Sequence, residues 1–303
     1  MKNTILVVGS VALDSVETPY GKVVDALGGS ATYFSVAASK FASVRLVGVV
    51  GTDFPKKYVK LLESHKVDTT GLEIVDGKTF RWAGRYEGDM NSAKTLDTQL
   101  NVFQNFNPKI PPVWRSTPYL FLANIMPELQ LKVLGLMNQR PKLVICDTMN
   151  LWISVKKNVV SKVFAKSDIV IINESEVKQF TGMPNLLKGA RKVLKLGPKW
   201  LVIKRGEYGV LLIGRTGTYC LPGYPLEHVE DPTGAGDTFA GGFVGYLAKT
   251  GKNDAKTLTN AVVYGSVVAS YNVQSFSLRK LAELKSSDIK KRYNGFKTLS
   301  CFY

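Results

Sequence analysis

The chain has 303 residues, 45% of them hydrophobic, with 27 glycines and 13 prolines. That is long enough to bury a large core and too ordinary in Gly and Pro for a collagen-like or disordered chain. Forty Lys and Arg against 24 Asp and Glu leave a net charge of +16, which suits an anionic ligand such as a nucleotide, and equally a nucleic acid or an acidic membrane surface. The basic residues are spread along the chain, the densest run being Lys285 to Arg292, so a solvated surface is the simpler reading. Cys146, Cys220 and Cys301 are odd in number and far apart, with only His65 and His228 to join them. That speaks against a disulfide framework or a zinc site and fits a reducing compartment. No apolar run is long enough to cross a bilayer, and Ile5 to Leu13 is broken by Gly9 and Ser10, so a cytoplasmic protein is expected.

Ile5–Val8 is a short apolar run ending at Gly9, as a central parallel strand requires. Asp14 follows, where a carboxylate near a strand end can accept hydrogen bonds from neighbouring hydroxyls of a sugar-like ligand. Gly28-Gly29 then precede a helical pattern from Ser30 to Phe41 and would serve as a hinge or as a flexible turn. Val44–Val50 predicts a strand and Pro55 to His65 a helix. Tyr119–Leu122, Leu143–Cys146, Ile169–Ile172 and Leu201–Ile203 predict further buried strands with helices between them. This alternation implies an α/β fold with a mostly parallel central sheet covered on both faces, its ligand beyond the carboxyl ends of the strands.

Thr79 to Phe103 breaks that rhythm with polar and aromatic alternation around Phe80, Trp82, Gly84 and Tyr86, which predicts antiparallel strands, either a lid or a plain edge hairpin. Residues 12–26 and 72–105 are the expected lid segments within one domain spanning 1–303. Gly71 to Thr79 is not a phosphate loop: it has five residues between its glycines where four are needed, and it runs into a strand pattern. The Gly-x-Gly-x-x-Gly fingerprint of dinucleotide binding does not follow the first strand.

Asn173 and Glu176 stand at i and i+3 directly after a strand. They would begin a helix favourably, or hold the water shell of Mg²⁺. Lys204, Gly206 and Gly209 follow the next strand, where the glycines permit a tight turn and the ammonium could meet phosphate oxygens.

Residues 231 to 237 read Asp-Pro-Thr-Gly-Ala-Gly-Asp, followed by an apolar helical run from Thr238 to Lys249. Gly234, Ala235 and Gly236 can open a helix with bare N–H groups, an anion site at the positive end of the helix dipole. Asp237 places a carboxylate inside it. That pairing suits phosphoryl transfer, the carboxylate taking a hydroxyl proton while the amides hold the transferred charge. A capped helix start with an acidic first turn reads the same way.

In their order, Asp14, Gly28-Gly29, Asn173-x-x-Glu176, Lys204-x-Gly206-x-x-Gly209 and Asp231 to Asp237 resemble the ribokinase-like (PfkB) carbohydrate and nucleoside kinases, from the first strand to about Ser270. The resemblance implies a three-layer α/β/α domain with a small β lid, transferring the γ-phosphoryl group of ATP to a sugar, polyol or nucleoside. By position it makes Asp237 the base, Gly234, Ala235 and Gly236 the anion hole, and Asn173 and Glu176 the partners of Mg²⁺ through water. Lys204, Gly206 and Gly209 would lie along the nucleotide and Asn260 near its adenine. Asp14, Gly28 and Gly29 would face the phosphate acceptor, and Asp231 and Thr233 a monovalent cation such as K⁺.

Two departures stand out. Many relatives carry Asn where this chain has Tyr33, and the segment Asp147 to Asn150 lacks the arginine of relatives that act on acidic sugars. A neutral polyol or nucleoside is thus favoured. Asn124, Asn150, Arg81 and Asn91 are further expected acceptor contacts, and Phe80, Trp82 and Tyr86 would give the lid a surface for a homodimer. A nucleic-acid-binding protein using the positive charge, or a ligand-binding module without catalysis on the same fold, are the alternatives. No nucleic-acid-binding signature is present, and no membrane partner is expected.

Overall fold

The computed structural model describes residues 3–215 and 217–300, so Cys301 lies outside the described residues. The chain opens with β1 (Ile5–Val8), β2 (Ala12–Thr18), β3 (Gly21–Gly28), α1 (Ser30–Ser39), β4 (Val44–Gly51), α2 (Lys56–Ser64) and β5 (Val67–Val75). It continues through β6 (Arg81–Tyr86), β7 (Ala93–Gln99), β8 (Tyr119–Leu122), α3 (Pro127–Leu136), β9 (Leu143–Cys146), α4 (Asn150–Val155) and α5 (Lys157–Lys166). Then come β10 (Ile169–Asn173), α6 (Glu174–Thr181), α7 (Leu186–Leu194), β11 (Trp200–Lys204), β12 (Val210–Gly214) and β13 (Thr218–Leu221). Four helices close the chain: α8 (Ala235–Thr250), α9 (Ala255–Asn272), α10 (Arg279–Glu283) and α11 (Ser286–Leu299).

A nine-stranded sheet has the order β13-β12-β11-β10-β9-β8-β1-β4-β5. From β11 to β5 every pairing is parallel, and only the β12 and β13 edge runs antiparallel. The short apolar strands β1, β8 and β9 are buried along their whole length. Period-two alternation divides them between two cores: Ile5 and Val7 face the helices α1, α8 and α9, while Leu6 and Val8 face α3 to α7. The result is the expected three-layer α/β/α arrangement.

A separate four-stranded sheet has the order β3-β2-β6-β7. Its bounds correct the sequence expectation. Residues up to Val75 belong to β5 of the main sheet, and Asn101–Asn105 forms a 3₁₀ turn, so the second lid segment is β6 and β7 rather than 72–105. The first runs on to Gly28. Nor do the aromatic rings form its exposed face: Phe80 stacks on Phe103 with ring centres 5.1 Å apart, and the Trp82 indole donates to Thr95 at 3.3 Å. The exposed strand is β7.

Candidate functional site

The chemistry gathers beyond the carboxyl ends of β1, β9, β10 and β11, where open parallel sheets place ligands. The helix α8 begins there. Its N-cap, Gly234, has a left-handed backbone (φ 71°), a conformation glycine adopts without strain. The Ala235 amide turns back to the Pro232 carbonyl at 3.1 Å. Among the described residues the Gly234 and Gly236 amides have no protein acceptor, so the bare donors of the turn are theirs and not Ala235's.

Asp237 lies in the first turn of α8. Burial, with the nearby Asp147 carboxylate, pushes its carboxyl up to about 7 against the pull of Lys204. Across the recess Asp14, on β2, is 6% exposed, and burial raises it to about 7 despite a hydrogen bond from the Gly29 amide. Asp14 dictates its glycine neighbour. A β-carbon at Gly28 would stand 1.9 Å from Asp14 Oδ2, and one at Gly29 would stand 2.6 Å from the Ser10 carbonyl. The double glycine is a packing requirement, with the Ala31 amide bonded to the Ser10 carbonyl at 3.0 Å.

Asn173 and Glu176 form a reciprocal cap on α6. The Glu176 amide donates to Asn173 Oδ1 at 2.9 Å, and the Asn173 amide to Glu176 Oε2 at 2.7 Å. The helix-start reading is therefore correct, and it leaves Glu176 Oε1 without a protein donor. Burial raises this carboxyl to about 7, Lys204 opposing. Lys204 ends β11 opposite Asn173 and pairs with the 4% exposed Asp147 at 3.1 Å. Burial disfavours the Lys204 ammonium, but Asp147, Glu176 and Asp237 hold it above its ordinary range. Among the described residues no three His, Cys, Asp or Glu side chains cluster as a metal cage. The free Glu176 Oε1 beside Asn173 is a sparse donor set, of the kind that suits Mg²⁺, which keeps waters and takes few protein ligands.

An open cleft of about 670 Å³ leads away from this turn, walled by Lys204, Gly206 and Gly209 on one side and Gly223 to Glu227 on another. Gly236, Ser266, Ala269 and Ser270 complete it. Asp231 is 1% exposed and accepts from the Thr233 amide at 2.9 Å and the Ser277 amide at 3.2 Å.

Residues 2–284 match the pfkB family of carbohydrate kinases. The chain belongs to the pfkB family. This pfkB-family chain is 32% identical over 246 residues to a cytidine kinase of Thermococcus kodakarensis, covering 79% of this chain and 87% of that one. Its fold is similar to that of a nucleoside kinase from Methanocaldococcus jannaschii, with a TM-score of 0.79 at 20% identity over 97% and 98% of the two chains. An aminoimidazole riboside kinase from Salmonella enterica, solved with aminoimidazole riboside and an ATP analog, gives a TM-score of 0.75 at 18% identity over 96% and 100%.

The pfkB chain brings most residues named from the sequence into one place. Asp14, Gly28, Gly29 and Tyr33 stand on one side of α8's start, with Tyr33 buried among Asp14, Asp231, Tyr86 and Asp237. Other residues are engaged elsewhere. Arg81 pairs with Asp53 at 2.8 Å and Asp25 at 3.3 Å, which ties it to the lid's base. Asn91 donates to Glu207 at 3.4 Å and lines the cleft beside Gly206, not the recess at Asp14. Asn124 accepts from the Trp152 indole at 3.0 Å, and Asn150 is exposed at the start of α4. Asn260 accepts from Tyr293 at 2.6 Å and donates to the Lys256 carbonyl. Ser266, Ala269 and Ser270 take the cleft wall that was expected of it. Two further residues of the site belong to no motif. Asp147 was readable only as a polar residue after a buried strand, and Tyr86 only as one of several lid aromatics. Tyr86 turns inward, its hydroxyl accepting from Thr233 Oγ1 at 3.4 Å. Among the described residues no helix is long and apolar enough to cross a membrane.

Proposed function

We propose that this protein is an ATP-dependent kinase whose acceptor is a primary hydroxyl of a nucleoside. The observation that carries the reading is Asp237 in the first turn of α8, its carboxyl lifted to about 7 beside the unpartnered Gly234 and Gly236 amides. A carboxyl in that range accepts a proton from a hydroxyl at neutral pH, and the amides are aimed where charge develops on a transferring phosphoryl group. The identity to a cytidine kinase across most of both chains supports a nucleoside over a simple sugar.

The cleft from Gly206 to Ser270, about 670 Å³ and lined by Gly206, Gly209, Gly223 and Gly236, would take the nucleotide, with its phosphates directed to Gly236 and Lys204. Asp14 and the Tyr33 hydroxyl would meet the acceptor's other hydroxyls, leaving its reacting oxygen against Asp237. Mg²⁺ would be held through water by Glu176 Oε1 and Asn173, and supplies charge neutralisation of the phosphates. The buried Asn272 Oδ1, unpartnered beside the Thr233 carbonyl, fits a monovalent cation near Asp231. Lid residues Tyr86 and Asn91 exclude water from the recess and from the cleft.

The test is ADP release from ATP·Mg²⁺ across panels of pyrimidine and purine nucleosides, sugars and polyols, with Asp237→Asn alongside. Turnover with nucleosides, lost by at least ~100-fold in the variant while ATP still binds, is the expected outcome. Near wild-type turnover in the variant would remove Asp237 as base, and a response to sugars alone would overturn the nucleoside assignment.

A further inference from the structure

Lys204 was expected along the nucleotide, and the structure gives its ammonium a partner that no motif predicted. Asp147 stands one residue beyond β9, Lys204 ends β11, and β10 runs between them. The lysine side chain spans the end of β10 to place Nζ 3.1 Å from Asp147 Oδ2. Asp147 is held in place for this. Its amide donates to the Leu122 carbonyl at 3.0 Å, its carbonyl accepts from Gln130 Nε2 at 3.0 Å, and its Oδ1 accepts from the Thr148 amide at 2.8 Å. One carboxylate oxygen is fixed by the backbone and the other is left for the ammonium.

On its far side the ammonium touches the turn that opens α8, since a β-carbon on Gly236 would stand 2.9 Å from Nζ. Asp237 and Glu176 share this recess, yet the ion pair is with Asp147 and with neither of them. A lysine has a flexible four-carbon stem and a compact charge, so without a counterion it would move to whichever carboxylate lay nearest. Next to Asp237 it would lower the basicity of that carboxylate and so weaken it as a proton acceptor.

We infer that Asp147 is a positioning residue for phosphoryl transfer: it pins the Lys204 ammonium against the Gly236 edge of the anion turn and keeps it off Asp237. The inference rests on the reading of Asp237 as base. Besides Asp147 and Lys204, the groups facing Asp237 are Asp14 from β2, Tyr33 from α1, Tyr86 from β6 and Glu176 from α6. The influence of the pair on Asp237 has the matching sign, Asp147 raising its carboxyl and Lys204 lowering it.

The test is Asp147→Asn, nearly isosteric, in the full-length protein. Its kcat should fall by about tenfold or more with the KM for ATP within about twofold, because the change acts on the transfer step. The rising limb of kcat/KM against pH should move to lower pH as Asp237 gains the released cation. Asp147→Glu, which keeps the charge, should recover part of kcat and return the limb towards wild type. Asp147→Asn/Lys204→Met removes both charges and serves should the single variant fold poorly: its melting temperature should recover while kcat stays low. A single variant whose limb does not move, or a double variant with wild-type kcat, would reduce the pair to a scaffold contact and overturn the inference. Wild-type protein that releases no ADP with any acceptor would instead overturn the kinase reading itself.

Discussion

Tyr33 and Gly234 are in contact through the glycine's missing side chain: a β-carbon on Gly234 would stand 2.4 Å from Tyr33 Cγ. The tyrosine ring, 2% exposed, thereby sets how closely the α8 turn approaches α1. Gly234→Ala would meet both the ring and a positive φ, costing on the order of 1–3 kcal/mol and displacing the turn. The expected result is a lower melting temperature with kcat reduced by at least ~10-fold. Tyr33→Phe keeps the ring and should leave stability nearly unchanged while raising the KM for the acceptor. If that KM stays at the wild-type value, the Tyr33 hydroxyl does not touch the acceptor.

Gly28→Ala addresses Asp14 without altering it. The added methyl would occupy the space of the Asp14 carboxylate, so the carboxylate must turn away. Steady-state kinetics should show the acceptor KM rising ~10-fold or more and the ATP KM unchanged. Equal effects on both constants would mean that the change disturbs the whole lobe, and Asp14 would lose its place as an acceptor contact.

The pH dependence has two readouts. Activity needs the ionised form of Asp237, so kcat/KM should rise through a midpoint near 7. Stability runs the other way. Burial holds Asp14, Glu176 and Asp237 up at about 7, so between about 4 and 7 the folded chain keeps protons that the unfolded chain has released. That contribution is complete at the acid end of the window and lost as pH rises through 7. His65, held below its ordinary value by burial and by Lys40, opposes it as a single half-buried group. The ligand-free protein should therefore melt higher at pH 5.5 than at pH 8, and Asp237→Asn should raise the unfolding free energy at pH 8 by ~1–2 kcal/mol. A melting temperature that climbs steadily from pH 5.5 to 8 would contradict the burial of these carboxyls.

Tyr86→Phe removes the lid's bond to the turn before α8. A neutral hydrogen bond contributes ~0.5–1.5 kcal/mol, so lid closure should weaken by about twofold to thirteenfold. The measurable sign is ATP hydrolysis without acceptor, which should rise relative to transfer. An unchanged ratio would show that closure does not depend on this bond.

The fold was largely legible because its strands are short, apolar and buried on both faces, and Ile5–Val8, Tyr119–Leu122 and Leu143–Cys146 fall where their patterns end. The α8 turn was legible because its glycines and its carboxylate are adjacent in the chain. What depends on reach or rotation was not. The Lys204 side chain passes a whole strand to find Asp147, and no spacing rule carries that distance. Ser266, Ala269 and Ser270 make one face of α9, whereas Asn260, six residues before Ser266, points about 120° around the helix from it. The second lid segment starts later than expected because Leu72 to Val75 end β5, which completes the main sheet.

Asp14 and Asp237 come from distant parts of the chain, both are held up by burial, and the charge of Asp237 raises Asp14 further. Bound hydroxyls that donate to both would relieve that repulsion, so the acceptor should protect the fold by more than its contacts alone provide. In a cell, the standing amount of this protein would then follow the supply of its own substrate, the starved form being the one that proteases remove.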